Sequence, residues 1–171
     1  MEQWTILDEN RNDTGKKITR GKEKLLPGEF HLVVHIWIYN DKNEFLIQKR
    51  SKEKDFMPGE WAATIGSAMS GENSRLAACR ELYEELGIHI SSHKLNCLFT
   101  DKRKNSIVDI WALHLNIDIK NIKMQKGEVS EVRWVSESEL RLMIENGQFH
   151  NYGDEYFDKI IDKIIRSEVV G

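Results

Sequence analysis

Three glutamates occupy one short stretch of the chain at a spacing that can support metal chemistry. Glu81 follows Arg80 directly, and Glu84 and Glu85 lie three and four residues after Glu81. In an α-helix, residues three and four positions apart lie on the same face, so the three carboxylates would point in one direction. Like charges in this arrangement repel one another. A divalent cation such as Mg²⁺ or Mn²⁺ would compensate them, because these ions bind carboxylate oxygens together with water and phosphate.

A solvated helix face is the simplest alternative for these glutamates. Arg80 lies one helical turn before Glu84 and could pair with it. Under the functional interpretation, the carboxylates hold a metal that bridges a diphosphate and lowers the pKa of an attacking water. The residues on either side of the acidic helix decide between these two interpretations.

The string GSAMSGENSRLAACRELYEELGI, residues 66–88, resembles the Nudix box at every defining position. These positions are Gly66, Glu72, Arg80, Glu81, Leu82, Glu84, Glu85, Gly87 and Ile88. Agreement at so many spaced positions is far more specific than an isolated acidic helix. The sequence therefore favours catalytic glutamates, and the chain is similar to hydrolases of the Nudix type.

The resemblance implies a metal site and a reaction. Glu84 and Glu85 would be the principal metal ligands, and Glu81 a further ligand or a catalytic carboxylate. Gly66 would offer its backbone carbonyl to the metal. The cofactor would be Mg²⁺ or Mn²⁺. The enzyme would be a pyrophosphatase-type hydrolase, in which water replaces one phosphorus–oxygen bond of a nucleoside diphosphate derivative or a related small metabolite.

The resemblance also implies roles for the groups around the metal ligands. Arg80 would orient the glutamates, and Glu72 would hold the box loop against the helix through Arg80. The general base in similar proteins is either a box glutamate or an acid from a later loop. Glu128 and Glu131 are the later candidates here, and both could equally be exposed loop acids.

The N-terminal half resembles the Nudix branch that also contains isopentenyl-diphosphate isomerases. An isomerase needs a cysteine and an acid on opposite faces of its substrate. The matching segment here, WAATIGSAMSG, contains no cysteine, and NSIVDIW replaces the Glu-x-Glu pair of the isomerases. The box is complete, which disfavours both an isomerase and a non-catalytic ligand sensor. We therefore predict a hydrolase and keep these two as alternatives.

Residues outside the box are candidates for binding the substrate. Lys49 and Arg50 end the pattern FLIQKR, and such cations pair well with phosphate oxygens, although a solvated strand end is equally compatible. In the isomerase branch a histidine near His31 helps to bind metal, so His31 is either a site residue or a core histidine. The pocket for the attached group is expected to include aromatic residues that could also be core: Trp4, Phe30, Trp37 and Trp111.

Local patterns predict the elements that must position these residues. A helix is predicted over about 74–86, with Gly87 as its left-handed terminal residue. Strands are predicted at 4–7, 31–39, 45–50, 61–68, 95–99, 107–117 and 131–135. The apolar residues of the first helix are expected on the face opposite the glutamates: Leu76, Cys79, Leu82, Tyr83 and Leu86.

The fold class follows from these elements and from the resemblance. Ser136 begins a capping box that opens a helix through Glu145, and a last helix is predicted over about 154–167. We predict an α/β protein, a Nudix-like α/β/α sandwich with a mixed sheet and a loop–helix–loop motif. It would form one domain over residues 1–171, with an N-terminal hairpin at about 1–25, the box at 66–88 and C-terminal helices at about 136–167.

Bulk composition narrows the partners. The chain has 171 residues and a formal net charge of −3, which argues against a general binder of nucleic acid polymers or membrane surfaces. Cys79 and Cys97 do not make a disulfide framework or a zinc site. The start of the chain lacks a secretory pattern, so we expect a cytoplasmic protein acting on a small-molecule diphosphate. A homodimer is common in similar proteins and is left open.

Overall fold

The computed structural model describes residues 1–167; residues 168–171 of the predicted single domain lie outside the described part. Its strands are β1 (Gln3–Leu7), β2 (Asp13–Thr19), β3 (His31–Tyr39), β4 (Phe45–Arg50), β5 (Trp61–Ala62), β6 (Thr64–Ser67), β7 (Leu95–Lys102), β8 (Ser106–His114) and β9 (Val129–Val135). Its α-helices are α1 (Ser74–Leu86), α2 (Glu137–Glu145) and α3 (Tyr156–Ile161). Short 3₁₀ turns lie at Ser92–Lys94 and Ile119–Asn121, and a π-helical turn at Asp162–Arg166 continues α3.

A mixed sheet forms the centre of the molecule. The strand order is β5-β4-β3-β8-β7, with β6 also paired to β3 and β9 paired to β4. β3 runs parallel to β8 and antiparallel to β4 and β6. The apolar and β-branched composition of β3 suits a strand that is covered on both faces.

Helices cover both faces of this sheet. Side chains alternate along a strand, so Ile36 and Trp37 of β3 point to opposite sides. Ile36 belongs to the core cluster that contains Leu82 of α1. Trp37 belongs to a second cluster that contains Leu140 of α2 and Ile160 of α3. This arrangement confirms the predicted α/β/α sandwich. No helix in the described residues is long and apolar enough to cross a membrane.

The N-terminal hairpin, β1 and β2, forms a small sheet of its own. Leu7 and Phe30 exchange backbone hydrogen bonds of 2.8 and 3.0 Å, which join the hairpin to the residue before β3. Arg11, in the hairpin turn, donates both terminal nitrogens to the carboxylate of Asp109 on β8, with a distance of 2.8 Å for Nη1. The hairpin is therefore tied to the sheet at two separate points.

Local capping signals set the ends of two helices where the sequence predicts them. The Asn73 side chain accepts a hydrogen bond from the backbone N–H of Leu76 at the start of α1, and Gly87 ends that helix with φ of 65°. Ser136 and Glu139 form the predicted capping box at the start of α2. The last helix differs from the prediction, because it starts at Tyr156 and widens into the π-helical turn.

The predicted packing face of α1 is correct for Leu82 and Leu86, which are buried, and wrong at two other positions. Leu76 and Tyr83, which the sequence pattern places on the packing face, are 52% and 61% exposed. Glu81 and Glu85 are only 9% and 5% exposed, so the acidic face of α1 is largely buried at these two positions rather than solvated. The reason is that the small side chain of Ala78 and its neighbours bring α1 close to the sheet, which places these two glutamates at the edge of the buried face.

Candidate active site

A cleft of about 750 Å³ opens beside the first half of β3. Its floor includes Val33 of β3, Ile65 of β6 and Val108 of β8. The box glutamates Glu81, Glu84 and Glu85 line the same cleft, as do side chains of the hairpin. The volume lies in the range of small-molecule and nucleotide sites.

Arg80 links the acidic residues of the box. Its Nε and Nη2 atoms donate to the two carboxylate oxygens of Glu72 at 2.8 and 3.0 Å. Its Nη1 atom donates to Glu81 at 2.8 Å and to Glu84 at 3.0 Å, and Nη2 also reaches the backbone oxygen of Ser67 at 2.9 Å. One guanidinium therefore holds the box loop, the end of β6 and helix α1 together, as expected for Glu72 and Arg80.

Glu81 packs directly on the backbone of Gly66. A Cβ atom built on Gly66 would lie 2.1 Å from Cδ and 2.2 Å from Oε1 of Glu81. Gly66 is fixed in β6, where it pairs with Val34 of β3. Burial raises the pKa of Glu81 to about 7, against the opposing effect of Arg80 and with a further increase from the Glu85 charge. The box glycine thus makes room for the carboxyl group.

Glu85 is bound by a neutral amide. Gln48 of β4 donates from Nε2 to the Glu85 carboxylate at 2.6 Å, and the Thr64 hydroxyl donates to the Gln48 carbonyl oxygen at 3.1 Å. All three side chains are buried. Burial raises the pKa of Glu85, partly offset by the Gln48 hydrogen bond. Because the amide carries no charge, the Glu85 charge remains available to a cation.

Sequence reasoning missed Gln48 and Thr64. Gln48 lies two residues after Leu46 on the same side of β4, and Leu46 packs in the core cluster under α1. A polar residue on a core-facing strand position was therefore the available signal. Local sequence patterns do not identify its partner Glu85 on α1, because Glu85 lies far along the chain from Gln48.

The two cations at the end of β4 lie on opposite faces. Arg50 is buried, lines the cleft and donates from Nε to the backbone oxygen of Phe56 at 3.0 Å. Lys49 lies outside the cleft lining, with its Nζ atom 5.8 Å from the centre of the Trp61 ring. The alternation of side chains along a strand separates neighbouring residues in this way. Of this pair, the structure brings Arg50 to the site and not Lys49.

The two candidate general bases also lie in different places. Glu128 lines the cleft and forms an ion pair with Lys54, which lines it too. Its charge lies close enough to contribute to the raised pKa of Glu85. Glu131 is exposed on β9, opposite Lys49 of β4. The structure therefore groups Glu128, and not Glu131, with the box glutamates.

His31 lies in the cleft wall against the hairpin. Its ring stacks on Trp4 with centroids 4.1 Å apart and an interplanar angle of 19°. Its Nδ1 atom is buried with no hydrogen-bond partner in the described residues. Burial lowers the pKa of His31 to about 4, so the ring is neutral at pH 7. Of the four candidate pocket aromatics, Trp4 lines the cleft, whereas three are buried in the core: Phe30, Trp37 and Trp111.

Three further cations of the cleft are not assigned from the sequence, and one of them, Arg20, directly follows β2 of the hairpin. Lys54 lies in the loop after β4, and Arg103 lies in the turn between β7 and β8. Arg103 donates to the backbone oxygen of Tyr152 at 2.9 Å, which attaches the C-terminal segment to this turn. Lys54 and Arg103 lie in charged polar stretches, and no local pattern distinguishes them from solvated loop cations.

The donor set of the box suits a divalent metal. Glu81, Glu84 and Glu85 bring carboxylate oxygens, the ligands that Mg²⁺ and Mn²⁺ prefer, to one wall. Burial is the largest cause of the raised pKa of both Glu81 and Glu85, and the neighbouring carboxylate charges raise these pKa values further. In residues 1–167, no three such side chains converge closely enough to hold a metal as they stand. Arg80 and Gln48 occupy these carboxylates instead.

Comparison with known proteins decides the family. The model of the NUDIX domain matches residues 29–154. This chain belongs to the Nudix family. An uncharacterized Nudix hydrolase of Listeria monocytogenes is 42% identical over 153 residues, which cover 89% of this chain and 90% of that relative. These matches confirm the predicted enzyme class, a Nudix-type hydrolase acting on diphosphate bonds.

Other relatives agree with the branch and the fold. An isopentenyl-diphosphate Delta-isomerase of Pectobacterium atrosepticum is 27% identical over 168 residues, covering 95% of this chain and 93% of the isomerase. The structure of DR0079 from Deinococcus radiodurans superposes with a TM-score of 0.76 at 21% identity, covering 92% and 97% of the two chains. The NUDIX domain of Shewanella oneidensis NrtR, solved with ADP ribose, gives a TM-score of 0.59 at 15% identity over 90% and 94%.

Proposed function

We propose that this protein is a metal-dependent hydrolase that cleaves the diphosphate linkage of a nucleoside diphosphate derivative or a related small metabolite. The observation that carries the proposal is the acidic wall of the cleft, which the three box glutamates line and where the strand glycine Gly66 leaves room for the Glu81 carboxyl group. The same cleft holds cations for the phosphate groups and is large enough for a nucleotide.

The metal in this proposal is Mg²⁺ or Mn²⁺, held by Glu81, Glu84 and Glu85 together with the backbone carbonyl of Gly66. When bound, such an ion neutralises charge on the diphosphate oxygens and lowers the pKa of the attacking water. The glutamates are now held by Arg80 and Gln48, so these two residues also set the positions from which the carboxylates reach a cation.

Other residues of this chain bind the phosphates and move the proton. Arg50 and Lys54 line the cleft, and their cationic groups suit phosphate oxygens. Glu128 is our proposed general base, because it is the later-loop carboxylate that lies in the cleft with Glu85. Its ion pair with Lys54 holds the carboxylate in place to accept a proton from water.

Isomerisation of a prenyl diphosphate is the second candidate, and the 27% identical isomerase is the observation that favours it. That chemistry requires a cysteine beside the substrate. Cys79 lies on α1 and Cys97 is exposed on β7, and neither of them lines the cleft. The arrangement therefore favours hydrolysis over isomerisation.

A non-catalytic sensor is the third candidate. The Nudix domain of NrtR was solved with ADP ribose, so the fold can bind a nucleoside diphosphate derivative. This chain retains every glutamate of the box, which supports cleavage rather than binding alone. Under our proposal the partner is a small molecule, without a nucleic acid polymer or a membrane, in the cytoplasm. A homodimer stays a prediction from the resemblance.

A Mg²⁺-dependent cleavage screen tests the proposal. It would offer nucleoside di- and triphosphates, nucleotide sugars, dinucleotide cofactors and isopentenyl diphosphate, with the products identified by mass. The Glu84→Gln, Glu85→Gln double variant is the blank. Cleavage that needs the metal and is lost in this variant supports the hydrolase. Rearrangement of isopentenyl diphosphate without any cleavage would establish the isomerase instead, and tight binding without reaction would establish the sensor.

A further inference from the structure

The N-terminal hairpin forms part of the cleft although it precedes the matched Nudix domain. The family model begins at residue 29, after both strands of the hairpin. The segment that precedes the model nevertheless contributes to the lining of the same cleft as the box glutamates, through Met1, Glu2, Trp4 and Arg20. A segment outside the matched family model therefore shapes part of a site whose catalytic residues lie within it.

The hairpin holds a fixed position relative to the box. The backbone N–H of Ser70, in the box loop, donates to the backbone oxygen of Gln3 at 2.7 Å. The hydroxyl of Thr5 donates to the Ser70 side chain at 3.2 Å. These contacts flank Trp4 on both sides, and the attachments at Phe30 and Asp109 hold the rest of the hairpin. The Trp4 ring is thus placed by the same loop that begins the catalytic motif.

The cleft surface of the hairpin combines an aromatic pair with two opposite charges. Trp4 stacks on the His31 ring, and Trp4 donates from Nε1 to the Glu2 carboxylate at 2.9 Å. Arg20 donates to the other oxygen of Glu2 at 2.9 Å, and its guanidinium carbon lies 6.0 Å from the centre of the Trp4 ring. The indole ring is therefore fixed on one face and along its polar edge.

We infer that this end of the cleft binds the nucleobase of the substrate, which packs against the Trp4–His31 pair with its polar edge toward Glu2 and Arg20. The inference rests on the proposed function, because it identifies the group attached to the diphosphate. Aromatic side chains bind the π-face of any base, and a base also has hydrogen-bonding edges that suit a charged rim. A prenyl group has no such edge, so the ion pair at this wall favours a base.

Calorimetric binding of ligands that differ only in the base tests the inference without relying on catalysis. The ligands are AMP, GMP, CMP and UMP, compared with ribose 5-phosphate, all in Mg²⁺ buffer. The wild-type protein should bind at least one nucleotide about tenfold more tightly than ribose 5-phosphate. Trp4→Ala should remove this advantage without changing the affinity for ribose 5-phosphate, and Trp4→Phe should keep most of it.

The matched control is Tyr83→Ala, which removes an exposed aromatic ring on the outer face of α1. It should leave all affinities unchanged. Equal loss of nucleotide and ribose 5-phosphate binding in Trp4→Ala, or no preference for any nucleotide in the wild type, would overturn the inference. Trp4-dependent nucleotide binding in a protein that cleaves no diphosphate would uphold the base site and refute the hydrolase. Diphosphate cleavage together with nucleotide binding that does not depend on Trp4 would support the hydrolase and refute the base site.

Discussion

The carboxyl group of Glu81 occupies the space that a side chain at position 66 would need. The two residues are distant in sequence, yet a Cβ atom on Gly66 would lie 2.1 Å from Cδ of Glu81. β6 holds Gly66 through its pairing with β3, and α1 holds Glu81 through packing against the sheet. Neither element can shift easily, so the glycine determines where the carboxylate lies.

Gly66→Ala should therefore reduce the activity strongly while the protein still folds. The added methyl group must displace Glu81, and a displacement of about 1 Å at a catalytic group can cost on the order of 100-fold in rate. We expect kcat to fall by at least about this factor, together with a lower Tm from the steric clash. Steady-state kinetics and a thermal melt would measure the two effects.

The double variant Gly66→Ala, Glu81→Ala provides the control for this clash. Removing the Glu81 carboxyl group clears the space, so the double variant should regain Tm relative to Gly66→Ala while remaining inactive. A Gly66→Ala protein with wild-type activity and wild-type Tm would show that Glu81 does not need its present position.

The pKa of Glu81 predicts how metal-free stability depends on pH. Burial, with Arg80 opposing it, raises this pKa from 4.5 to about 7, so the folded state holds a proton that the unfolded state releases. The contribution of Glu81 to the free energy of unfolding is therefore fully present below pH 4.5. This contribution is lost as the pH rises through about 7. The loss is on the order of 3 kcal/mol, because one pKa unit corresponds to about 1.4 kcal/mol.

Urea unfolding in EDTA at pH 5 and pH 7.5 measures this effect. The wild type should lose free energy of unfolding between these two values, and Glu81→Gln should lose much less, because the neutral amide does not ionise. Identical pH slopes in the two proteins would contradict the prediction. Glu145→Gln, at the exposed end of α2, is the matched control and should retain the wild-type slope.

The sequence predicts much of the local structure but not how the elements face one another. The ends of α1 follow from Asn73 and Gly87, because capping depends on neighbouring residues. The exposure of Tyr83 depends instead on how α1 rests on the sheet, which local periodicity does not contain. For the same reason, the strand pattern alone did not show that Arg50 enters the cleft and Lys49 does not.

The candidate site likewise contains some contacts that the sequence predicts and others that only tertiary packing creates. The spacing of the box predicts that Arg80 and the glutamates lie together, because one helix and its adjoining loop carry them. The contact between Gln48 and Glu85 joins β4 to α1 across a long stretch of chain, and only tertiary packing creates it.

Gln48 is expected to position Glu85 for the metal. Gln48→Leu removes the donor and leaves a buried carboxylate oxygen without its partner, whereas the residue volume stays similar. Loss of a residue that orients a metal ligand typically costs about 10- to 100-fold in metal affinity or activity. We expect the Mg²⁺ concentration for half-maximal activity to rise by about this factor, and direct Mn²⁺ binding by calorimetry to weaken in parallel.

Thr64 provides a graded comparison for this prediction, because its hydroxyl donates to the other end of the Gln48 amide. Thr64→Val should show a smaller loss of the same kind, and Thr64→Ser should retain the wild-type metal response. If Gln48→Leu lowers only Tm and leaves the metal response unchanged, Gln48 is structural and does not orient Glu85.

The ion pair between Arg11 and Asp109 should control the stability of the hairpin. Asp109 is buried on β8, and burial would raise its pKa, but hydrogen bonds from Arg11, Ser74 and Thr100 hold that pKa below the ordinary value of 3.8. Arg11→Ala leaves the charge with fewer donors, which costs about 1–3 kcal/mol. A lower Tm and faster proteolysis near the N-terminus would report the loss.

The pH dependence of this pair has the opposite sign to that of Glu81. Because folding lowers the pKa of Asp109, its contribution to stability is present above pH 3.8 and is lost as the pH falls through the lower folded value.

The double variant Arg11→Ala, Asp109→Asn should recover part of the stability, since a neutral amide is less costly to bury than an unpaired carboxylate. A double variant no more stable than Arg11→Ala would mean that the hairpin is held by its backbone contacts alone. The base preference of the cleft should then survive the loss of Arg11, because Trp4 would keep its position through Ser70 and Phe30.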